Sequence, residues 1–136
     1  MIICDTGPLV ALFNEADDDH ERCLAFLERH PGPLVIPAPV LTEVCWLVES
    51  RVGAEVEAQF LQSIVDGVLT LEAVTTQDLS RMADLIRTYA DFPLGAADAS
   101  VVAVAERLKV HEIATLDRRH FHVVKPQHVN AFTLLP

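Results

Sequence analysis

Short apolar runs that alternate with helical patterns constrain the fold of this 136-residue chain more than any other feature. The apolar runs predict strands over residues 1–5, 34–36, 68–74, 112–116 and 131–135. Helical patterns occupy the chain between them, opening near Pro8 and continuing over about 17–30, 39–51, 54–66, 76–90 and 96–109. The run Thr75-Thr76-Gln77-Asp78 has the spacing of a capping box, which predicts that the helix over about 76–90 begins there. Strands that are separated by helices favour a parallel sheet, because parallel neighbours need a crossover connection. We therefore predict one α/β domain over residues 1–136, with a central, mostly parallel sheet of four to five strands and helices on both faces.

The composition excludes several classes of protein. The chain is 51% hydrophobic, which argues against disorder, and it contains no run of 18 apolar residues that would span a membrane. No positively charged segment precedes the first apolar run, so residues 1–5 do not form a secretory signal. The three cysteines are odd in number and lack the C-x-x-C spacing, which predicts reduced thiols in a cytoplasmic protein. The net charge of −10 is unsuited to gripping nucleic acid through a basic surface and suits a protein that holds metal ions or meets a basic partner.

Four carboxylates stand where apolar segments should have none. Asp5 and Asp117 each end an apolar run, while Glu43 and Asp98 lie on apolar stripes of predicted helices. The carboxyl ends of parallel strands meet at one edge of a sheet, where ligands bind, so we expect all four acids to line that edge. A carboxylate that faces an interior is costly unless a cation compensates it, and hard divalent cations prefer carboxylate and water oxygens. The pattern therefore predicts a divalent metal site.

Taken one at a time, each acid also has an ordinary structural explanation. Asp5 and Asp117 can cap the helices that follow them, and Asp98 can be a first-turn acid that the helix dipole favours. Glu43 can pair with a nearby cation. These alternatives stay open for each residue alone and are less persuasive for the ordered set of four.

That ordered set resembles the PIN-domain ribonucleases, and among them the VapC toxins of prokaryotic toxin–antitoxin pairs. The first motif is an apolar strand followed by an acid and a hydroxyl residue, Ile2-Ile3-Cys4-Asp5-Thr6. The second motif is a helix with an acidic residue after a proline-containing turn, and here it is Pro37-Ala38-Pro39-Val40-Leu41-Thr42-Glu43. The third motif is matched by Pro93-Leu94-Gly95-Ala96-Ala97-Asp98-Ala99. The fourth resembles Thr115-Leu116-Asp117-Arg118-Arg119-His120-Phe121. The resemblance covers essentially the whole chain.

The resemblance implies a metal-dependent endoribonuclease that is the toxin of a type II toxin–antitoxin pair. It implies Mg²⁺ or Mn²⁺ as cofactor, RNA as substrate, a basic VapB-like antitoxin as partner, and a homodimer. The residues expected to bind the metal and carry out catalysis are Asp5, Glu43, Asp98 and Asp117, with the hydroxyls of Thr6 and Thr115 in supporting positions. The apolar stripes that include Trp46 and Leu47 belong either to the core or to a dimer interface.

Basic and histidine residues near the fourth motif have two interpretations each. Arg118 and Arg119 follow Asp117 directly and either contact an RNA phosphate or form a solvated turn. His120, His122 and His128 invite a zinc interpretation, but their spacing is not that of a closed zinc site and no cysteine lies nearby in sequence.

Two other functions remain open from the sequence. One is a phosphohydrolase that forms a phosphoryl-aspartate, which Asp5 at a strand end would fit. Against it, Asp5-Thr6-Gly7 has no acid two residues on. The other is a non-catalytic module whose acids only meet a basic partner.

Overall fold

The computed structural model describes all 136 residues and contains five strands and seven helices. The strands are β1 (Ile2–Cys4), β2 (Leu34–Pro37), β3 (Thr70–Glu72), β4 (Glu112–Ala114) and β5 (Thr133–Leu135). The helices are α1 (Thr6–Phe13), α2 (His20–Arg29), α3 (Ala38–Val52), α4 (Ala54–Val65), α5 (Thr76–Thr88), α6 (Ala96–Leu108) and α7 (Arg118–Val123). The α/β fold predicted from the sequence is confirmed.

All five strands join one sheet in the order β3-β2-β1-β4-β5, and every neighbouring pair is parallel. Successive side chains of a strand point to opposite faces, and Ile2, Ile3 and Cys4 are all fully buried. Both faces of the sheet are therefore covered at β1. The chain builds outward from β1 to β3 and then returns across the sheet to place β4 on the other side of β1. This reversal places the topological switch point of the sheet at the carboxyl ends of the neighbouring strands β1 and β4.

Two local predictions have different outcomes. The predicted helix start at Thr75 is confirmed, because Asp78 N–H donates to Thr75 Oγ1 and Thr75 N–H donates to Asp78 Oδ2, both at 3.0 Å. The strand predicted over residues 68–74 is only Thr70–Glu72. It is an edge strand with one neighbour, and Val68 is 63% exposed, so apolar character at its start does not reflect burial in the sheet.

The apolar stripe of α3 is only partly buried. Val44 and Val48 are fully buried and Leu47 packs against the core, but Trp46 is 68% exposed. Of the two interpretations for Trp46, membership of the core is therefore wrong. All three cysteines are free thiols. None of the helices combines the length and the apolar character needed to cross a membrane.

Candidate active site

The candidate site lies at the carboxyl ends of β1 and β4, where the strand order reverses. Asp5 follows β1 directly, and its backbone N–H donates to the carbonyl of Ala114, the last residue of β4, at 2.9 Å. Asp117 follows β4 after two further residues. Side chains from two separate crossover connections thus converge at the switch point, which is the usual ligand position in sheets of this kind.

A cavity of about 530 Å³ opens at this edge, and all four predicted carboxylates line it. α3 contributes Glu43, and Asp98 comes from the first turn of α6. The remaining lining residues are Thr6, Gly7, Val10, Asp17, Leu47, Arg51, Leu116 and Arg119. Sequence reasoning missed Asp17 and Arg51, because Asp17 belongs to an acidic run typical of solvated surface and Arg51 lies two turns beyond Glu43.

Asp5 is the most buried of the four acids. It is only 5% exposed and forms no salt bridge, and its side chain does not cap α1. Its Oδ2 accepts a hydrogen bond from the Thr115 hydroxyl at 2.9 Å. Burial raises the pKa of Asp5 to about 6, with a further contribution from the negative charges of Asp98 and Glu43. The hydrogen bonds it accepts oppose this shift without cancelling it.

Asp98 and Glu43 differ in their exposure. Asp98 is half-buried, and Gly95 N–H donates to its Oδ2 over a long 3.4 Å. Burial raises the pKa of Asp98, and the charges of Asp117 and Glu43 add to the shift against the opposing effect of His120. Glu43 is exposed, so the prediction that it faces inward with its apolar stripe is wrong. Glu43 lies at the edge of the apolar stripe of α3, and from there its side chain lines the cavity.

Asp117 is the only one of the four that forms an ion pair. Its side chain does not cap α7, and its Oδ2 lies 2.6 Å from Nδ1 of His120. The other ring nitrogen of His120, Nε2, lies 2.9 Å from the carbonyl oxygen of Pro93. Burial alone would lower the pKa of His120, but the hydrogen bond and charge of Asp117 outweigh it and the net shift is upward.

The two threonines behave differently. Thr115 Oγ1 accepts the backbone N–H of Asp117 at 3.0 Å while it donates to Asp5, so this side chain links the loops that carry two of the acids. Thr6 is 6% exposed, lines the cavity, and has a buried Oγ1 without a hydrogen-bond partner. A buried hydroxyl without a partner is uncommon and indicates a position that a water or ligand oxygen would satisfy.

The basic residues of the fourth motif separate. Arg118 is exposed, donates to the Pro136 carbonyl and does not line the cavity. Arg119 lines the cavity, with its guanidinium carbon 6.0 Å from the centre of the Phe92 ring. The three histidines do not converge as a group that could hold a metal ion. His128 Nε2 contacts the Val110 carbonyl at 2.6 Å, whereas the ring nitrogens of His120 contact Asp117 and the Pro93 carbonyl.

The donor chemistry of the cavity fits a hard divalent cation. All four acids present oxygen, the buried carboxylate of Asp5 has no cationic partner, and Thr6 Oγ1 is unsatisfied. No three histidine, cysteine or acidic side chains converge closely enough to hold one ion directly. Mg²⁺ typically keeps several of its waters, so this spacing is compatible with binding partly through water.

Comparison with known proteins agrees with these observations. The family model of the PIN domain matches residues 2–126. Ribonuclease VapC26 of Mycobacterium tuberculosis is 33% identical over 135 residues, which span 99% of this chain and 100% of that protein. The crystal structure of VapC20 from Mycobacterium tuberculosis, described as a toxin that cleaves the sarcin–ricin loop, superposes with a TM-score of 0.78 at 20% identity, covering 83% of this chain and 87% of that chain. VapBC2 from Rickettsia felis, solved bound to a DNA fragment from its promoter, superposes with a TM-score of 0.71 at 16% identity over 100% of both chains.

Proposed function

The chain belongs to the PIN-domain family, and from that premise we propose that it is a metal-dependent endoribonuclease, the toxin of a type II toxin–antitoxin pair. The observation that carries the proposal is the uncompensated burial of Asp5. A carboxylate that is 5% exposed and lacks a cationic partner is unfavourable in isolation. It shares its cavity with four further acids, Asp17, Glu43, Asp98 and Asp117, so a bound divalent cation would reduce the repulsion among their charges.

We assign metal binding and catalysis to Asp5, Glu43, Asp98 and Asp117, directly or through water. A bound Mg²⁺ or Mn²⁺ supplies Lewis-acid stabilisation of the phosphate charge and a more acidic water. Asp5 uses Oδ2 to accept the Thr115 hydroxyl, which leaves Oδ1 without a side-chain partner and available to an ion or to the attacking water. The unpartnered hydroxyl of Thr6 is placed to hold a further water oxygen.

The net charge of −10 means that the surface as a whole does not attract the RNA backbone. We therefore assign RNA binding to individual cationic side chains near the cavity. Arg119 and Arg51 are the two basic side chains that line the acidic cavity. We assign them to phosphates of the RNA on either side of the cleaved bond. Arg118 contacts the carboxyl-terminal residue and is not part of this assignment.

The same charge suits a basic antitoxin, whose cationic side chains would meet the acidic cavity. A toxin–antitoxin complex from Klebsiella pneumoniae contains a chain of the same fold, with a TM-score of 0.71. We further propose a homodimer, to which the exposed Trp46 supplies apolar surface. Residues 1–136 form one domain, since β5 lies beyond the matched residues 2–126 and still pairs with β4. The free thiols agree with a cytoplasmic location.

The experiment is incubation of the purified protein with total RNA and with an oligonucleotide that contains the sarcin–ricin loop, followed by mapping of new ends. Parallel reactions contain Mg²⁺, Mn²⁺ or a chelator. We expect discrete new ends with either ion and none with chelator. Asp5→Asn should abolish them, and Asp84→Asn, which changes an exposed acid on α5, should not.

Three results would contradict the proposal. Cleavage that persists in chelator would exclude metal dependence. Hydrolysis of a small phosphomonoester without cleavage of RNA would favour the phosphoryl-aspartate alternative. Binding of a basic partner with neither activity would leave the non-catalytic module as the function.

A thermal melt gives a second test that is independent of substrate. A ligand that binds only the folded state at 100 times its dissociation constant stabilises by about 2.7 kcal/mol. Millimolar Mn²⁺ should therefore raise the melting temperature of the wild type and leave that of Asp5→Asn nearly unchanged. If neither Mn²⁺ nor Mg²⁺ changed the melting temperature, the proposal of a metal site would be wrong.

A further inference from the structure

His120 holds an unusual position between two of the motifs. Its Nδ1 contacts Asp117 Oδ2 at 2.6 Å and its Nε2 contacts the Pro93 carbonyl oxygen at 2.9 Å. Carboxylate and carbonyl oxygens only accept hydrogen bonds, so each of these two oxygens is a partner to which a ring N–H can donate. Pro93 begins the loop that leads into α6, whose first turn carries Asp98.

The ring is also fixed by packing. Its side chain is 17% exposed, and the ring of Phe92 lies 5.0 Å away between centroids. Two hydrogen bonds and one aromatic contact leave the imidazole little freedom to rotate. The orientation of the Asp117 carboxylate is therefore set by a ring that is itself held from the neighbouring loop.

We propose that His120 is a positioning residue: it orients the Asp117 carboxylate for cation binding and ties it to the loop that precedes Asp98. The inference deepens the proposed function and rests on it for the role of the cavity. Groups that bind metals are themselves usually held by hydrogen bonds, and loss of such a contact typically costs about 10–100-fold in metal affinity or activity.

The two bonds of His120 can be tested separately. The side-chain N–H₂ of asparagine reaches about as far as Nδ1 of histidine, and that of glutamine about as far as Nε2. His120→Asn should therefore keep the donor to Asp117, whereas His120→Gln should keep only the donor to Pro93. His120→Ala removes both, and His122→Ala is the matched control, an exposed histidine on the same short helix.

The first readout is the Mn²⁺ concentration that gives half of the maximal rise in melting temperature, measured without RNA. We expect His120→Ala to raise it about 10–100-fold. His120→Asn should recover most of the loss, while His120→Gln should resemble His120→Ala and His122→Ala should resemble the wild type. The second readout is RNA cleavage at fixed Mn²⁺ below saturation, where kcat should fall in the same order with KM for RNA little changed.

Each other outcome overturns the inference. Unchanged Mn²⁺ response in His120→Ala would show that the contact does not position Asp117. A tighter response would show that the histidine competes with the ion for Asp117. Recovery by Gln and not by Asn would restrict the role of His120 to anchoring the loop at Pro93, and recovery by neither would reduce it to packing.

The Mn²⁺ melt also separates this inference from the proposed function. If the wild type binds Mn²⁺ and cleaves no RNA, the nuclease proposal fails while the comparison of His120 variants still decides the positioning role. If the wild type cleaves RNA and the His120→Ala response is normal, only the positioning role fails.

Discussion

Helix α6 carries an acidic side chain at each end, and the two are treated in opposite ways. Near its last turn, Glu106 is 7% exposed and receives two hydrogen bonds from the Arg81 guanidinium at 2.8 and 3.0 Å, and a third from Gln127 N–H at 2.8 Å. In the first turn, Asp98 faces a cavity of carboxylates and has only the long contact from Gly95. The helix dipole favours an acid at the first turn and opposes one at the last, so the fold places the arginine where the dipole is unfavourable.

The same contrast separates two almost equally buried aspartates. Asp78 is 3% exposed and is bound by the Arg107 side chain at 3.0 Å as well as by the capping box of α5. Asp5 is 5% exposed and has no basic partner. Burial of an acid is therefore not what distinguishes the candidate site from the rest of the fold. The distinguishing property is the missing counter-charge, which an ion from solvent would have to supply.

The largest expected effect is the loss of cleavage in Asp5→Asn. Asparagine is nearly isosteric but removes the charge, so we expect a fall in kcat/KM on the order of 100- to 1000-fold, equivalent to roughly 3–4 kcal/mol of transition-state stabilisation. Stability in the absence of metal should stay equal or rise, because the repelled buried charge is gone. The measurements are cleavage rates with Mn²⁺ and urea unfolding of the metal-free protein.

The matched variant is Asp78→Asn, which changes a buried aspartate that has an arginine partner. It leaves Arg107 with a weaker set of partners, so it should lose stability and keep its cleavage rate at a temperature where it is folded. The comparison would break if Asp78→Asn lost cleavage while folded, or if Asp5→Asn lost stability to the same extent as Asp78→Asn.

The next effect is a pH dependence of the free energy of unfolding, which we expect from Asp5 because it has no basic partner. The pKa of Asp5 is raised from 3.8 to about 6 in the folded protein, so the stabilising contribution of its proton is full below pH 4 and is lost as the pH rises to 6. At about 1.4 kcal/mol per pKa unit this amounts to about 3 kcal/mol. The free energy of unfolding of the metal-free wild type, measured relative to Asp5→Asn, should fall by most of that amount between pH 4 and 7.

Other carboxylates change the absolute stability over this range, and the difference between the two proteins removes their contribution. Saturating Mn²⁺ should abolish the fall, because a bound cation favours the ionised carboxylate. A constant difference across the pH range would mean that Asp5 titrates normally and is not electrostatically isolated.

A smaller effect is expected from breaking the compensated pair at the other end of α6. Glu106→Gln leaves Arg81 without its carboxylate, and because Arg81 is partly exposed we expect a cost of about 2 kcal/mol, below that of a fully buried pair. Cleavage should be unchanged at permissive temperature. Asp84→Asn, which breaks an exposed pair with Arg87 at 3.4 Å, should stay within about 0.5 kcal/mol of the wild type.

The order of elements was predictable because it depends on local patterns. Apolar runs marked every strand, and the capping box at Thr75 marked the start of α5 to the residue. Errors lie where a local pattern meets the edge of the fold. Glu43 stands about 60° from Val40 around the helix, at the rim of its apolar stripe, and pattern alone does not decide whether a rim position faces protein or solvent.

The four acids of the site could be identified from the sequence, but the partners of the buried acids could not. Arg107 pairs with Asp78 across 29 residues of sequence, and Thr115 reaches Asp5 across 110. Such contacts follow from the sheet order and not from spacing. The contact of His120 with Asp117 was detectable in principle, since residues three apart on a helix are neighbours. The spacing of His120 with His122 and His128 drew attention to zinc instead.

The smallest effect tests whether the hydrogen bonds of Thr115 are needed to position the acids of the cavity. Thr115→Val keeps the shape of the side chain but removes the hydroxyl that donates to Asp5 and accepts Asp117 N–H. We expect a stability loss of about 1 kcal/mol in the metal-free protein, from one lost hydrogen bond and one amide left unpaired. Cleavage should fall about 10-fold, because the Asp5 carboxylate is no longer fixed at Oδ2. Thr115→Ser retains the hydroxyl and should recover cleavage while losing only the packing of a methyl group. Equal cleavage in all three proteins would mean that the acids of the cavity hold their positions without the link between β1 and β4. In that case the missing counter-charge, and not the geometry of the loops, would alone define the site.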